Sequence, residues 1–401
     1  MARQALILAG GFGTRLGEIT KDIPKPILPV AGSPFMETVL WNLRRHGIER
    51  VVLSTGYLAD KIEEVLEDGS RFGLELKYCV ETEPLGTGGA AKFAASLLED
   101  EFLMLNGDTL YDVNYLALLN LKTAPGNAAI ALRHVPDVSR YGGCELEEDR
   151  ITAFQEKLAA GPGYINAGVY ALDQTLLARL PDGPSSIERD LFSVLAAEGR
   201  LTGLRSEGFF VDIGLPESLA EAQTTVPAWR RKPAAFLDRD GVLNRNTHHT
   251  YRTKDLEWLE GSKEAVRWLN DAGYLVIVVT NQAGIGKGIY TEADFHHFMD
   301  QMRADLSEMG GHFDDVYFCP YHPTEGIGEY LLDSPDRKPN PGMILRAIED
   351  WGIDTERSFL IGDAETDLMA AERAGIRGIR YEPGDHLLQI AKAATGSEFL
   401  N

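Results

Sequence analysis

The chain has 401 residues, 44% of them apolar and 25% charged, which suits a soluble globular protein of two domains or three. Lys and Arg total 39 against 61 Asp and Glu, a formal net charge of −22 that argues against nucleic acid or an anionic membrane as a partner yet leaves room for small phosphorylated ligands. Three scattered cysteines, Cys79, Cys144 and Cys319, exclude a disulfide framework, and no apolar run reaches membrane-spanning length, so the cytoplasm is the expected setting.

Short apolar runs alternate with amphipathic stretches, the pattern of an α/β protein. Strands are predicted at 5–9, 51–54, 101–105, 128–132 and 168–172, and again at 234–237, 275–280, 315–318 and 359–361. Helices are predicted at 35–46, 58–66, 88–98, 262–271, 292–309 and 341–351. The stretch TVPAWRRKP at 225–233 holds two prolines and a basic cluster, and a fresh strand follows it. It is the expected boundary between domains 1–226 and 234–401.

The first strand runs into LAGGFGTRL, which places Gly10, Gly11, Gly13, Thr14 and Arg15 at its carboxyl end. Glycines let backbone N–H groups approach a polyphosphate closely, and Arg15 can grip phosphate oxygens with its fork. A plain tight turn is the competing reading. A dinucleotide fingerprint would need glycine where Leu16 stands, and a Walker loop would need Gly-Lys-Ser/Thr. Lys25 sits between Pro24 and Pro26, a rigid mount for one charge. Asp108 and Asp212 each follow an apolar run, at strand ends where open α/β sheets bind ligands. Two such carboxylates could hold one Mg²⁺ against a triphosphate. Glu81 or Glu83 could accept from a nucleobase or stay solvated.

LAGGFGTRL, PKPILPV, EPLGTGGA, LNGDTL, FQEK, NAGVY and VDIG occur in the order seen in sugar-1-phosphate nucleotidyltransferases, over nearly all of 1–226. The chain most resembles the short guanylyltransferases acting on mannose-type or heptose 1-phosphates. The resemblance implies a Rossmann-like α/β sandwich in which a sugar 1-phosphate attacks the α-phosphorus of GTP and pyrophosphate leaves. It implies Arg15 and Lys25 as catalytic cations, and Asp108 and Asp212 as Mg²⁺ ligands. It further implies Gly86 and Thr87 beside the base, Lys157 at the sugar phosphate, and Glu156 and Asn166 at sugar hydroxyls.

In the second half, FLDRDGVLN delivers Asp238 and Asp240 at one strand terminus. One carboxylate can attack phosphorus while the other moves protons. The remaining ligands of a calcium loop are absent. Thr280, Asn281 and Gln282 end a later strand and can hold a phosphoryl group. Arg337 and Lys338 supply two cations, and Asp363 follows another strand with Asp367 one helical turn on.

These four pieces resemble the motifs of haloacid dehalogenase-like phosphatases over about 234–385, most closely the subgroup hydrolysing heptose 1,7-bisphosphate or histidinol phosphate. The resemblance implies a Rossmannoid domain without a large cap. Asp238 is then the nucleophile and Asp240 the acid/base, with Thr280 and Lys338 on the phosphoryl group. Arg337 and, less directly, Asn281 contact substrate, and Mg²⁺ sits on Asp238, the Asp240 carbonyl and Asp363. The subgroup often carries a zinc loop. Here Cys319 and His322 remain but Ser334 and Asp336 replace its later cysteines, so no structural zinc is expected.

Joined, the two resemblances imply removal of the 7-phosphate from heptose 1,7-bisphosphate, then guanylylation of the heptose 1-phosphate to GDP-heptose. A mannose 1-phosphate transferase fused to an unrelated phosphatase, or one silent half acting as a binding module, are the alternatives. Assembly into a homo-oligomer is left open.

Overall fold

Neighbouring residues of the strand Gln4–Leu8 face opposite ways: Ala5 and Ile7 enter one apolar cluster, Leu6 the other. The strand Glu101–Asn106 repeats this, with Leu103 and Leu105 on one side and Phe102 and Met104 on the other. That period of two is a sheet covered on both faces. In the computed structural model of the chain, residues 3–11, 13–122, 124–140, 143–155, 161–247 and 249–396 are described. Contacts divide it into two units, Met1–Trp229 and Arg230–Asn401.

The first unit holds a nine-stranded mixed sheet. Its order is Glu75–Val80, Arg50–Thr55, Gln4–Leu8, Glu101–Asn106, Gly163–Asp173, Ala128–Val135, Leu201–Ser206, Arg150–Gln155 and Gly143–Glu147. The first four strands run parallel, and Gly163–Asp173 is antiparallel to both its neighbours. Strand order reverses between Gln4–Leu8 and Glu101–Asn106, so the crevice of an open sheet lies at their carboxyl ends.

The second unit is a five-stranded parallel sheet in the order Asp315–Cys319, Leu275–Asn281, Ala234–Leu237, Phe359–Gly362 and Arg377–Arg380. Leu275–Asn281 reads LVIVVTN and its first six residues are buried, as a parallel strand covered on both faces requires. The helix Glu292–Glu308 begins with a reciprocal cap. The Thr291 hydroxyl accepts from the Asp294 N–H at 3.1 Å, and the Asp294 carboxylate accepts from the Thr291 N–H at 2.8 Å. Such a cap stabilises a helix by about 1 kcal/mol. Here too strand order reverses, between Ala234–Leu237 and Phe359–Gly362.

Every predicted strand and helix has a counterpart, with ends shifted by a few residues. The division between the units falls within the segment 225–233, which is largely helical. The helix Pro216–Arg230 runs through most of it, despite Pro227. Packing outweighs the lost hydrogen bond: Val226 is buried, Trp229 stacks on Phe209 at 5.5 Å, and its indole N–H donates to Asp112 at 2.7 Å. Among the described residues no helix is long and apolar enough to cross a membrane.

Two candidate active sites

The loop after Gln4–Leu8 opens onto a cleft of about 420 Å³. Gly10, Gly11, Gly13, Thr14, Arg15, Lys25, Gly86, Thr87 and Asp108 all line it. Gly13 is left-handed, with φ 64°. A Cβ on Gly10 would come 2.8 Å from Glu81 Oε1, whereas Gly11 faces open space within 4 Å. The loop therefore offers bare backbone to the cleft at Gly11. Gly107 donates its N–H to the Leu8 carbonyl at 2.9 Å, which seats Asp108 beside this loop.

Lys25 is buried and ion-paired with Asp108, and its Nζ lies 4.0 Å from Asp212 Oδ1. A Cβ on Gly214 would meet Asp212 Oδ1 at 2.7 Å, Lys25 Nζ at 2.9 Å and Arg15 Nη2 at 3.2 Å. Two cations and the Asp212 carboxylate, spread over some two hundred positions, thus meet around one glycine, with Asp108 paired to one of the cations. Burial raises the Asp212 carboxyl above its ordinary range and the Asp108 charge raises it further, while Lys25 opposes both. Relief of that repulsion by a bound cation is chemically natural.

Other predicted residues stand differently. Glu81 lines the cleft and is fixed by the Ser54 hydroxyl at 2.9 Å and the Leu85 N–H at 3.2 Å; Glu83 is exposed and outside the lining. The Thr87 hydroxyl donates to Glu188 at 2.9 Å and accepts from the Ile187 N–H at 2.9 Å. Asn166 is not in the cleft lining. Its amide donates to the Tyr170 hydroxyl and accepts from the Gly168 N–H, both at 3.0 Å. Glu156 and Lys157 lie outside the described residues.

The second cleft, about 300 Å³, lies where strand order reverses in the parallel sheet. Asp238, Asp240, Thr280, Asn281, Arg337, Lys338, Asp363 and Asp367 line it. Carboxylate oxygens of Asp238, Asp363 and Asp367 all fall within 4.8 Å of one another. Lys338 Nζ reaches Asp238 at 2.8 Å, Asp367 at 2.6 Å and the Val279 carbonyl at 2.8 Å. Three carboxylates against one ammonium leave an excess of negative charge that a divalent cation would balance. Burial pushes the Asp238 carboxyl up to about 7, with Lys338 opposing and Asp367 and Asp240 adding repulsion. Lys338 is held above its usual value: burial disfavours its charge, but Asp238 and Asp367 more than compensate.

Two glycines let this cluster close. A Cβ on Gly241, whose φ is +99°, would sit 2.1 Å from Asp363 Oδ2, and one on Gly362 would sit 2.3 Å from the Asp367 Cβ. The Asp240 side chain lines the same cleft and is held by other partners. Its Oδ2 accepts from Arg239 at 2.6 and 3.1 Å and from Gln282 at 3.0 Å, and its Oδ1 accepts from Asn244 at 3.0 Å. Asn281 brackets the Lys338 backbone, accepting from its N–H and donating to its carbonyl, both at 3.0 Å. Arg337 donates to the Tyr321 carbonyl at 3.3 Å. Asp367 was legible only as a helical turn after Asp363, and Tyr290 carried no motif at all. Cys319 is buried, with its thiol raised by burial. His322 Nδ1 accepts from the Glu325 N–H at 3.0 Å.

Residues 4–228 match the family described as Nucleotidyl transferase, more than half of the chain. The chain belongs to the nucleotidyl transferase family. Residues 336–397 match a second family, described as HAD-hydrolase-like. The D-glycero-β-D-manno-heptose-1,7-bisphosphate 7-phosphatase of Rhodopseudomonas palustris is 44% identical over 155 residues, 39% of this chain and 86% of that one. The D-glycero-α-D-manno-heptose 1-phosphate guanylyltransferase of Campylobacter jejuni is 35% identical over 215 residues, 53% of this chain and 96% of that one. A crystal structure of HddC from Yersinia pseudotuberculosis is 32% identical, covers 56% of this chain and 99% of its own, and has a TM-score of 0.51. The nucleotidyl transferase unit thus joins a phosphatase-like unit, as the motifs implied.

Proposed function

We propose that the chain is a bifunctional enzyme of nucleotide-sugar synthesis. The second unit removes the 7-phosphate of D-glycero-D-manno-heptose 1,7-bisphosphate. The first transfers GMP from GTP to the resulting heptose 1-phosphate, giving GDP-heptose and pyrophosphate. One observation carries this reading: two separate phosphate-type clefts on one chain, each similar to a relative named for one of two consecutive steps. Hydrolysis at C7 leaves C1 untouched, so whichever anomer enters is the anomer guanylylated. Among the relatives, phosphatases are named for the β and for the α anomer, and the guanylyltransferase for the α. A product formed through both units requires the α anomer throughout.

In the first cleft Arg15 and Lys25 steady the triphosphate and the charge developing on it, and the backbone at Gly10, Gly11, Gly13 and Thr14 cradles it. No covalent intermediate is needed, so positioning and charge stabilisation carry the step. Gly86 and Thr87 border the base, Lys157 is assigned to the sugar phosphate, and Glu156 and Asn166 to the sugar hydroxyls. In the second cleft Asp238 attacks phosphorus and Asp240 protonates the departing oxygen, then deprotonates water. Thr280 and Lys338 hold the phosphoryl group, Arg337 contacts the rest of the substrate, and Asn281 fixes the Lys338 backbone. Mg²⁺ fits both clefts, on Asp108 and Asp212 in one and on Asp238, the Asp240 carbonyl and Asp363 in the other, where it would neutralise phosphate charge. Zinc has no place in this scheme.

Pyrophosphate release tests the sugar and the base. GTP with α-D-glycero-D-manno-heptose 1-phosphate is expected to give kcat/KM at least about tenfold above mannose 1-phosphate, and above ATP, CTP or UTP with the same sugar. Faster turnover of mannose 1-phosphate would overturn the heptose assignment.

A further inference from the structure

Gln282 is 2% exposed, and every polar atom of its amide is engaged. Its Nε2 donates to Asp240 Oδ2 at 3.0 Å and to Thr280 Oγ1 at 2.8 Å, and its Oε1 accepts from the Tyr290 hydroxyl at 2.6 Å. The chemistry permits one orientation. Asp240 Oδ2 already takes two N–H donors from Arg239 and so accepts, which means the NH₂ end must face it. The carbonyl end then faces Tyr290, which must donate. Thr280 accepts the Gln282 hydrogen bond on its oxygen and keeps its own hydroxyl proton to donate to the phosphoryl group. Tyr290 is itself fixed. It stacks on Tyr251 with ring centroids 4.7 Å apart and planes 11° apart. A Cβ on Gly284 would lie 2.1 Å from its ring, so the glycine in TNQAG makes room for it. Burial pushes the Tyr290 phenol up to about 12, so it stays a donor.

We propose that Tyr290 is a positioning residue of the phosphatase: through Gln282 it holds the carboxyl of Asp240 where the departing ester oxygen receives its proton. The inference rests on the phosphatase reading of this cleft. In the first step an Asp238 oxygen bonds to phosphorus and the phosphorus–ester bond breaks. Its electron pair stays on the ester oxygen, which takes the Asp240 proton. Water then bonds to phosphorus, its proton returns to Asp240, and orthophosphate leaves Asp238 as a free carboxylate. An alkoxide leaving group needs that proton, whereas p-nitrophenolate is stable without it.

The test uses the full chain and kcat/KM, which reports the first step. Tyr290→Phe is expected to lower kcat/KM on a sugar phosphate ester, the heptose bisphosphate first, about tenfold more than on p-nitrophenyl phosphate. Gln282→Met should show the same split, and the double variant should be no worse than Gln282→Met alone, because Tyr290 acts through that amide. Retained hydrolysis of the nitrophenyl ester also shows that the cleft is folded. An equal fall on both esters, no fall on either, or additive losses in the double variant would overturn the proposal. If the unmutated chain hydrolysed neither ester, the phosphatase reading itself would fail, a result distinguishable from any of these.

Discussion

Asp238→Asn is expected to stop phosphate release from the second unit, a loss of about 10⁴-fold or more, while nucleotidyl transfer in the first continues at its original rate. The substitution is isosteric and removes one nucleophilic oxygen charge. It leaves Lys338 with a partner, because Asp367 lies 2.6 Å from its Nζ, so no buried ammonium is stranded. The Asp238 N–H keeps its bond to the Ile361 carbonyl at 3.0 Å, which fixes the strand end. The fall is therefore chemical and not a loss of fold. Orthophosphate release from the bisphosphate reads the first effect, and pyrophosphate release with heptose 1-phosphate reads the second. Loss of both activities in a folded variant would mean that the two clefts are not independent.

Lys25→Met carries the second large effect, in the other unit. Lys25 is buried, paired with Asp108 and 4.0 Å from Asp212, and shares the space around Gly214 with Arg15. Methionine keeps the length and apolar stem but removes the cation that meets both the carboxylates and the phosphates. Removal of one such preorganised charge costs about 10²–10³ in kcat. Asp108 and Asp212 keep 26% and 21% of their side-chain surface exposed, so water can partly solvate them and the fold survives. Pyrophosphate release should fall by that factor with phosphatase turnover unchanged. An unchanged rate of transfer would remove Lys25 from the reaction.

The strand-end acids were the most legible part of the chain. Asp108, Asp238 and Asp363 follow apolar runs too short for helices, and ligands gather where parallel strands end. The glycine loop was legible for the same reason. What escaped depends on closure in three dimensions. Gly214 matters because Arg15 and Lys25, from a distant segment, meet Asp212 around it, and nothing within VDIG signals that. The Asn281 amide looked available to a phosphoryl group, but the fold brings the Lys338 backbone across it. Tyr290 lies beyond the TNQ run, and only the helical turn Ala283–Gly286 carries it back to Gln282. The helix Pro216–Arg230 was hidden by Pro227, since local propensity misjudges a segment whose Trp229 is held by packing. Edge strands such as Arg377–Arg380, RGIR, lack the apolar run by which buried strands are recognised.

The most direct measurement combines both clefts. Purified chain, Mg²⁺, GTP and D-glycero-α-D-manno-heptose 1,7-bisphosphate are mixed, and the products are resolved by mass spectrometry. The account predicts GDP-heptose with one orthophosphate and one pyrophosphate for each sugar consumed, and heptose 1-phosphate as the species between. An untouched bisphosphate, or orthophosphate with no GDP-heptose, would contradict it.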